Sequence, residues 1–314
     1  MERLYLVIPC YNEEAVLPET VRRLTLKLST LAEAGRITKD SRMLLVDDGS
    51  KDSTWEIIMQ LHRENQFVEG LKLARNRGHQ NALLAGLMTA KEQAEVVISM
   101  DADLQDDIDA VDAMLEKHSE GCDIVYGVRS SRETDTAFKR GTAQIFYKMM
   151  SFMGADVVYN HADYRLMTRR ALEGLSQFGE VNLFLRGIVP MVGYPCATVE
   201  YRRGERFAGE SKYPLSKMLN FALDGITSMS VKPIRMITVL GFLIFLFSIL
   251  MSVYFVAIHF MGRTVTGWTT VVVSVWAIGG LQLLAIGIIG EYLGKNYLES
   301  KHRPRYIIES FLEH

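Results

Sequence analysis

The chain has 314 residues, enough for one large domain or a domain with an appendage, and its formal net charge of −2 gives no global basic field pointing to nucleic acid. Its three cysteines, Cys10, Cys122 and Cys196, are odd in number and widely spaced. That argues against a disulfide framework and fits a reducing compartment, and no Cys/His cluster has zinc spacing. The start, Met1-Glu2-Arg3-Leu4, runs straight into a strand-like segment, without the basic start, apolar core and small-residue site of a signal peptide.

Leu4-Tyr5-Leu6-Val7-Ile8 is a short apolar run stopped by Pro9 and reads as a buried strand. Glu13 to about Ala34 has helical spacing. Met43-Leu44-Leu45-Val46 is a second strand ending in Asp47-Asp48-Gly49-Ser50, and Ser53 or Asp52 can cap the helix that follows. Leu71-Lys72-Leu73 is a third strand, with a helix from about Gln80 to Ala90 behind it. Val96-Val97-Ile98-Ser99-Met100 reads as a buried parallel strand. A helix near Ile108 to Ser119 and the strand Ile124-Val125-Tyr126-Gly127 complete the series. Strands alternating with helices predict an α/β domain with a mostly parallel sheet covered on both faces.

Four of these strands end in chemically useful residues. The first ends in Pro9-Cys10-Tyr11-Asn12-Glu13, the second in Asp47-Asp48, the fourth in Asp101-Ala102-Asp103-Leu104-Gln105, and the fifth in Arg129 and Arg132. Parallel topology sets all of them along one crevice, where ligands of open α/β sheets bind. Asp101 and Asp103 with the Gln105 amide oxygen are hard ligands suited to Mg²⁺ or Mn²⁺, which would neutralise a leaving diphosphate. Neither a Gly-x-Gly-x-x-Gly fingerprint nor a Gly-x-x-x-x-Gly-Lys-Ser/Thr loop is present. Asp48 reads as a turn or cap residue, and His79 and His161 as loop polar residues rather than bases.

Composition changes near Ile234. Ile237 to Phe260 holds no Asp, Glu, Lys or Arg, and Thr269 to Gly290 holds no charged residue. Each exceeds the ~20 residues that span a hydrocarbon core. Lys212, Lys217, Lys232 and Arg235 flank one side, and Lys295, Lys301, Arg303 and Arg305 the other. Positive residues favour the cytoplasmic side, so a two-span hairpin puts the N-terminal domain and the C-terminal tail in the cytoplasm. Tyr213 to Val231 looks like an amphipathic helix lying on the bilayer. The expected organisation is a catalytic domain over 1–210, an interfacial segment over 211–233, the hairpin over 234–293 and a basic tail over 294–314.

Val7-Ile8-Pro9-Cys10-Tyr11-Asn12-Glu13-Glu14, Val46-Asp47-Asp48-Gly49-Ser50-Lys51-Asp52-Ser53-Thr54 and Asp101-Ala102-Asp103-Leu104-Gln105 together resemble glycosyltransferase family 2. Arg75-Asn76-Arg77-Gly78-His79-Gln80-Asn81-Ala82, Asp163-Tyr164-Arg165-Leu166 and Arg206-Phe207-Ala208-Gly209-Glu210-Ser211-Lys212-Tyr213 look like the polyprenyl-phosphate sugar transferases, relatives of dolichol-phosphate mannose synthase. The two-span C-terminus with Gly290-Glu291-Tyr292-Leu293-Gly294 is similar to the bacterial undecaprenyl-phosphate glucosyltransferase branch, so the resemblance covers essentially the whole chain.

That resemblance implies a GT-A nucleotide-binding domain. Pro9, Tyr11, Glu13 and Asp47 would hold the uracil and ribose of a UDP-sugar, and Asp101, Asp103 and Gln105 the metal and diphosphate. Arg129, Arg132, Arg165, Arg206, Ser211 and Lys212 would contact phosphate or acceptor. Asp163 would orient the acceptor or take a residual proton. The implied reaction is inverting transfer of a hexose, glucose first, to a polyprenyl phosphate at the bilayer surface. UDP-GlcNAc, UDP-galactose and GDP-mannose remain alternative donors, and family relatives suggest a homo-oligomer such as a tetramer. A processive synthase would carry a Gln-x-x-Arg-Trp motif, which none of Trp55, Trp268 and Trp276 ends. An inactive membrane adaptor is the non-enzyme alternative.

Overall fold

The computed structural model describes residues 1–130, 161–181, 183–202, 204, 232–260 and 268–314. Its centre is a sheet of strands β1 (Leu4–Cys10), β2 (Arg42–Asp47), β3 (Val68–Leu73), β4 (Val96–Ser99), β5 (Ile124–Arg129), β6 (His161–Thr168), β7 (Cys196–Tyr201) and β8 (Ile308–Leu312). Across the sheet they run β7-β5-β6-β4-β1-β2-β3-β8. The four pairings β1–β2, β1–β4, β2–β3 and β5–β7 are parallel. β6 runs antiparallel between β4 and β5, and β8 runs antiparallel on β3.

The sheet is therefore mixed, where the alternation of elements predicts a mostly parallel one. β6 enters from the opposite end and, being antiparallel to both neighbours, leaves β4 and β5 parallel to each other. All four functional strand ends accordingly fall on one edge. β1 also runs on through Pro9 to Cys10 instead of stopping at the proline. β4 pairs only with Leu4 to Val7, so Pro9 lies beyond that ladder and its missing N–H costs nothing there.

Period-two alternation splits the strands between two cores. Leu4, Leu6, Ile8 and Cys10 face helices α1 (Leu17–Glu33), α2 (Thr54–Glu64) and α4 (Ala110–Ser119). Tyr5 and Val7 face α3 (His79–Gln93), α5 (Arg169–Ser176) and α6 (Leu185–Met191). α3 lies close on the sheet because of Gly86. A Cβ there would come within 2.4 Å of Val7 Cγ1 and 2.7 Å of Val46 Cγ2.

Two long helices follow, α7 (Lys232–Phe260) and α8 (Trp268–Ser300). Side chains at 245, 248, 249, 251, 252 and 255–260 of α7, and at 268–270, 272, 273, 276 and 277 of α8, lie outside the described residues. Over the interrupted described residues alone, no helix is long and apolar enough to cross a membrane. Many of the described apolar side chains of both helices are exposed, among them Phe242, Phe247 and Leu250 of α7 and Leu283, Leu284 and Ile286 of α8. The amphipathic segment expected over 211–233 lies almost wholly outside the described residues.

The chain then returns to the sheet. Val181 N donates to Glu299 Oε2 at 2.8 Å, Ala74 N donates to Ile307 O at 2.9 Å, and Lys72 pairs with Glu309 at 2.9 Å. β8 thereby covers the β3 edge, and the end of α8 is tied to the domain.

Gly86→Ala tests the packing. Alanine gains roughly 1 kcal/mol of helix propensity over glycine, but Val7 and Val46 are β-branched and fully buried in central strands, so the methyl overpacks the core by roughly 1–3 kcal/mol. A lowered melting temperature is expected; an unchanged or raised one contradicts the close approach.

Candidate active site

One end of the crevice is built by the loops after β1 and β2. Cys10 and Asp47 are register partners, so the two strands finish together. The loops then bind each other. Asn12 N donates to Ser50 Oγ at 3.0 Å and Asn12 Oδ1 accepts from Lys51 N at 2.9 Å. Glu13 N donates to Thr54 Oγ1 at 2.9 Å, and Glu14 Oε2 accepts from Ser53 N at 3.1 Å. Pro9 is buried beneath them and Tyr11 stands exposed at the rim. Asp47 is fully buried, with Oδ1 accepting from Ser50 N at 3.1 Å and Oδ2 lacking a hydrogen-bond partner among the described residues. Burial pushes its carboxyl above the ordinary value, against hydrogen bonds from Ser50 and the charge of Lys72.

Asp48 is a structural clamp. Its two oxygens accept from Arg77 N at 2.7 Å and Gly78 N at 2.9 Å. Gly49 lets that loop come close: its φ is +65°, and a Cβ would lie 2.6 Å from Asn76 N. The clamp fixes Gly78 at the start of α3 and so places His79.

The other end gathers carboxylates. Asp101 and Asp103 follow β4, in a loop that α1 pins through Thr20 Oγ1 donating to Ala102 O at 2.8 Å. Asp103 is buried and accepts from Gln105 N at 3.2 Å, while Gln105 O accepts from Gly204 N at 2.8 Å. Asp106 lies beneath, accepting from Tyr201 Oη at 2.6 Å, and Arg129 Nε donates to that same hydroxyl at 3.4 Å. Asp163 arrives on β6, whose start lies at this edge because the strand is antiparallel; its backbone oxygen accepts from Ser99 Oγ at 2.5 Å.

Cations hold the Asp163 side. Arg165 Nη2 donates to Asp163 Oδ1 at 2.6 Å, and Arg186 donates from Nε to Oδ1 at 3.4 Å and from Nη2 to Oδ2 at 3.1 Å. His79 Nε2 lies 3.7 Å from both Asp163 Oδ2 and Asp101 Oδ1. Burial works against the Asp163 carboxylate, but Arg186, His79 and Arg165 outweigh it and hold it well below the usual range. Asp101 behaves oppositely. Its enclosure, together with Asp106, Asp163 and Asp103 against the pull of His79, pushes it up to about 6. Burial alone would lower the His79 imidazole, yet Asp163 and Asp101 raise it.

The predicted residues therefore divide. Pro9, Tyr11, Glu13 and Asp47 collect at one end, with Asp47 wholly buried beneath the loops, and Asp101, Asp103, Gln105, Arg129 and Asp163 at the other. Arg165 is corrected: its side chain is 1% accessible, so it supports Asp163 from within and does not reach a phosphate. Arg132, Arg206, Ser211 and Lys212 lie outside the described residues. Four members were not anticipated: His79, Asp106, Arg186 and Tyr201. Only His79 carried a signal, because it sits inside the Arg75–Ala82 motif.

Among the described residues no group of three or more His, Cys, Asp or Glu side chains forms a metal centre. Asp101 and Asp103 offer oxygens that a Mg²⁺ or Mn²⁺ ion would complete with phosphate and water, the usual way such ions sit beside nucleotides. Beside them lies a cavity of about 530 Å³ lined by Arg22, Arg23, Lys27, Gln105, Asp106 and Arg202.

The family is given by comparison with known sequences. The model for glycosyl transferase family 2 matches residues 5–176, and the chain belongs to that family. It is 54% identical over 306 residues to the uncharacterized glycosyltransferase YkoT of Bacillus subtilis, covering 98% of this chain and 91% of that one. It is 39% identical over 311 residues to the bactoprenol glucosyl transferase of Shigella phage SfV, covering 98% of each chain. Among solved structures, the mannosyltransferase PcManGT of Pyrobaculum calidifontis, in complex with GDP-Man and Mn²⁺, aligns with a TM-score of 0.46 at 14% identity, covering 95% of this chain and 85% of that one.

The Asp101 environment predicts a pH-dependent stability. The carboxyl's folded value of about 6 exceeds its ordinary 3.8, so stability is full below about 4 and is lost as pH rises towards 6 and beyond. In the presence of a chelator, Asp101→Asn should melt above the wild type at pH 7.5, with the gain shrinking towards pH 4. A variant less stable than wild type at pH 7.5 contradicts this.

Proposed function

We propose that this protein transfers a hexose, glucose first, from a UDP-sugar to a polyprenyl phosphate with inversion at the anomeric carbon. The observation that carries the reading is the end-to-end similarity to bactoprenol glucosyl transferases, whose name states both the sugar and the lipid. The site agrees with it. In this reading Tyr11 stacks on the uracil, and Asp47, wholly buried, shapes the loop beneath it through Ser50. Asp101 and Asp103, aided by Gln105, hold Mg²⁺ or Mn²⁺. The ion supplies positive charge to the diphosphate.

The acceptor phosphate is already largely ionised near neutral pH, its second pKa being ~6. Little general-base help is needed, and the catalytic demand falls on the departing UDP. Arg129, fixed by the Tyr201 hydroxyl, and Arg132, Arg206, Ser211 and Lys212 would share its charge. Attack from the face opposite the leaving group turns an α-linked donor into a β-linked product.

Helices α7 and α8 act in this reading as two membrane spans. Their 29 and 33 residues, at ~1.5 Å per residue, exceed the ~30 Å hydrocarbon core. Exposed apolar side chains along both support the assignment, since water-soluble surfaces rarely carry such contiguous patches. The tail's pairing with β3 supports a hairpin whose two ends lie on the catalytic side, and flanking Lys and Arg make that side cytoplasmic. Residues 211–233 would lie on the bilayer between sheet and spans.

The test is transfer from radiolabelled UDP-glucose into organic-extractable lipid by the full chain with undecaprenyl phosphate and Mn²⁺ or Mg²⁺. Metal-dependent label in the lipid, lost in Asp103→Ala, is expected. Label from a different nucleotide sugar replaces the donor, and no transfer from any donor overturns the enzyme reading.

A further inference from the structure

The geometry points to Arg186 as the residue that binds the acceptor phosphate, with Asp163 as its positioning residue and not a proton acceptor. The inference rests on the reaction proposed above and assigns that site's lipid-phosphate end.

Asp163 has no room to act as a base. A carboxylate offers about four lone-pair sites on two oxygens. Three face guanidinium N–H groups, one from Arg165 and two from Arg186, at 2.6, 3.4 and 3.1 Å. On the remaining side His79 Nε2 lies 3.7 Å from Oδ2. The side chain is only 13% accessible, so a substrate proton would have to displace an arginine to reach it.

The two arginines are not equivalent. Arg165 is 1% accessible and tied to the interior, with Nη1 3.5 Å from Leu185 O. Arg186 is 29% accessible on α6, which borders the crevice from the other side of Asp163. With both arginines charged and Asp163 ionised, the three side chains carry a net positive charge at the edge where Asp101 ends its strand. Asp163 grips Arg186 through Nε and Nη2 together, which fixes the plane of the guanidinium. A planar, pre-oriented fork is the group that best matches a phosphate, and holding it in advance removes the cost of ordering it on binding. The arrangement also explains why a charged arginine is buried behind Asp163. Arg165 balances the carboxylate, so Arg186 stays positioned by it without being fully neutralised.

The test separates acceptor from donor kinetics in the full chain, varying undecaprenyl phosphate at saturating UDP-glucose. Arg186→Ala is expected to raise the acceptor KM roughly 10- to 100-fold, the range for a lost charge-assisted hydrogen bond, while UDP affinity is retained. Added guanidinium ion should restore part of the loss. Arg186→Lys should fall between, because lysine keeps the charge without the fork; should Arg186→Ala fail to bind UDP, this variant carries the same test. Asp163→Asn should also act mainly on acceptor KM. An unchanged acceptor KM in the Arg186 variants, or loss of kcat alone in Asp163→Asn, overturns the inference. If the wild type transfers no sugar, the reaction itself fails and the inference falls with it.

Discussion

Four carboxylates, Asp101, Asp103, Asp106 and Asp163, crowd the carboxyl edge of one sheet, and holding them together against mutual repulsion is the constraint on which the site depends. The structure meets it unevenly. Asp163 is enclosed by two arginines and faces a histidine. Asp106 is quietened by the Tyr201 hydroxyl, itself in contact with Arg129. Asp103 accepts a backbone N–H. Asp101 is raised furthest, to about 6, first by its enclosure and then by Asp106, Asp163 and Asp103, with His79 pulling against them; burial raises Asp106 too.

The rest of the fold brings that cluster beside the loops after β1 and β2. Asp48 ties the β2 end to the start of α3, and His79 at that start lies against Asp101 and Asp163. A single run of contacts therefore links the loop expected to hold the nucleoside to the reacting end. β8 closes the opposite edge of the same sheet. The helix before it is thus anchored at its C-terminal end to that sheet.

The elements that alternate cleanly were legible in the sequence. Val96 to Ser99 is a fully buried strand between two others, and its apolar run announces it. The Asp101–Gln105 stretch follows from its place after that run. β6 was not legible, because its register carries Arg165 at a buried position, where a charged residue argues against a central strand. Only the pairing with Asp163 makes that arginine tolerable, and that pairing is a tertiary fact. Arg186 and Tyr201 were invisible for a related reason: each acts on a carboxylate far away in sequence, at separations of 23 and 95 residues. β8 was hidden by distance, since nothing in Ile308–Leu312 says that it joins a strand some 240 residues earlier.

The measurement that bears most directly on this account is the position of Mn²⁺ in crystals of the full chain grown with UDP. An anomalous peak in contact with the Asp101 and Asp103 carboxylates, with the uracil against Tyr11, is the predicted result. UDP bound at this edge with Mn²⁺ elsewhere, or UDP bound away from Tyr11, would contradict it.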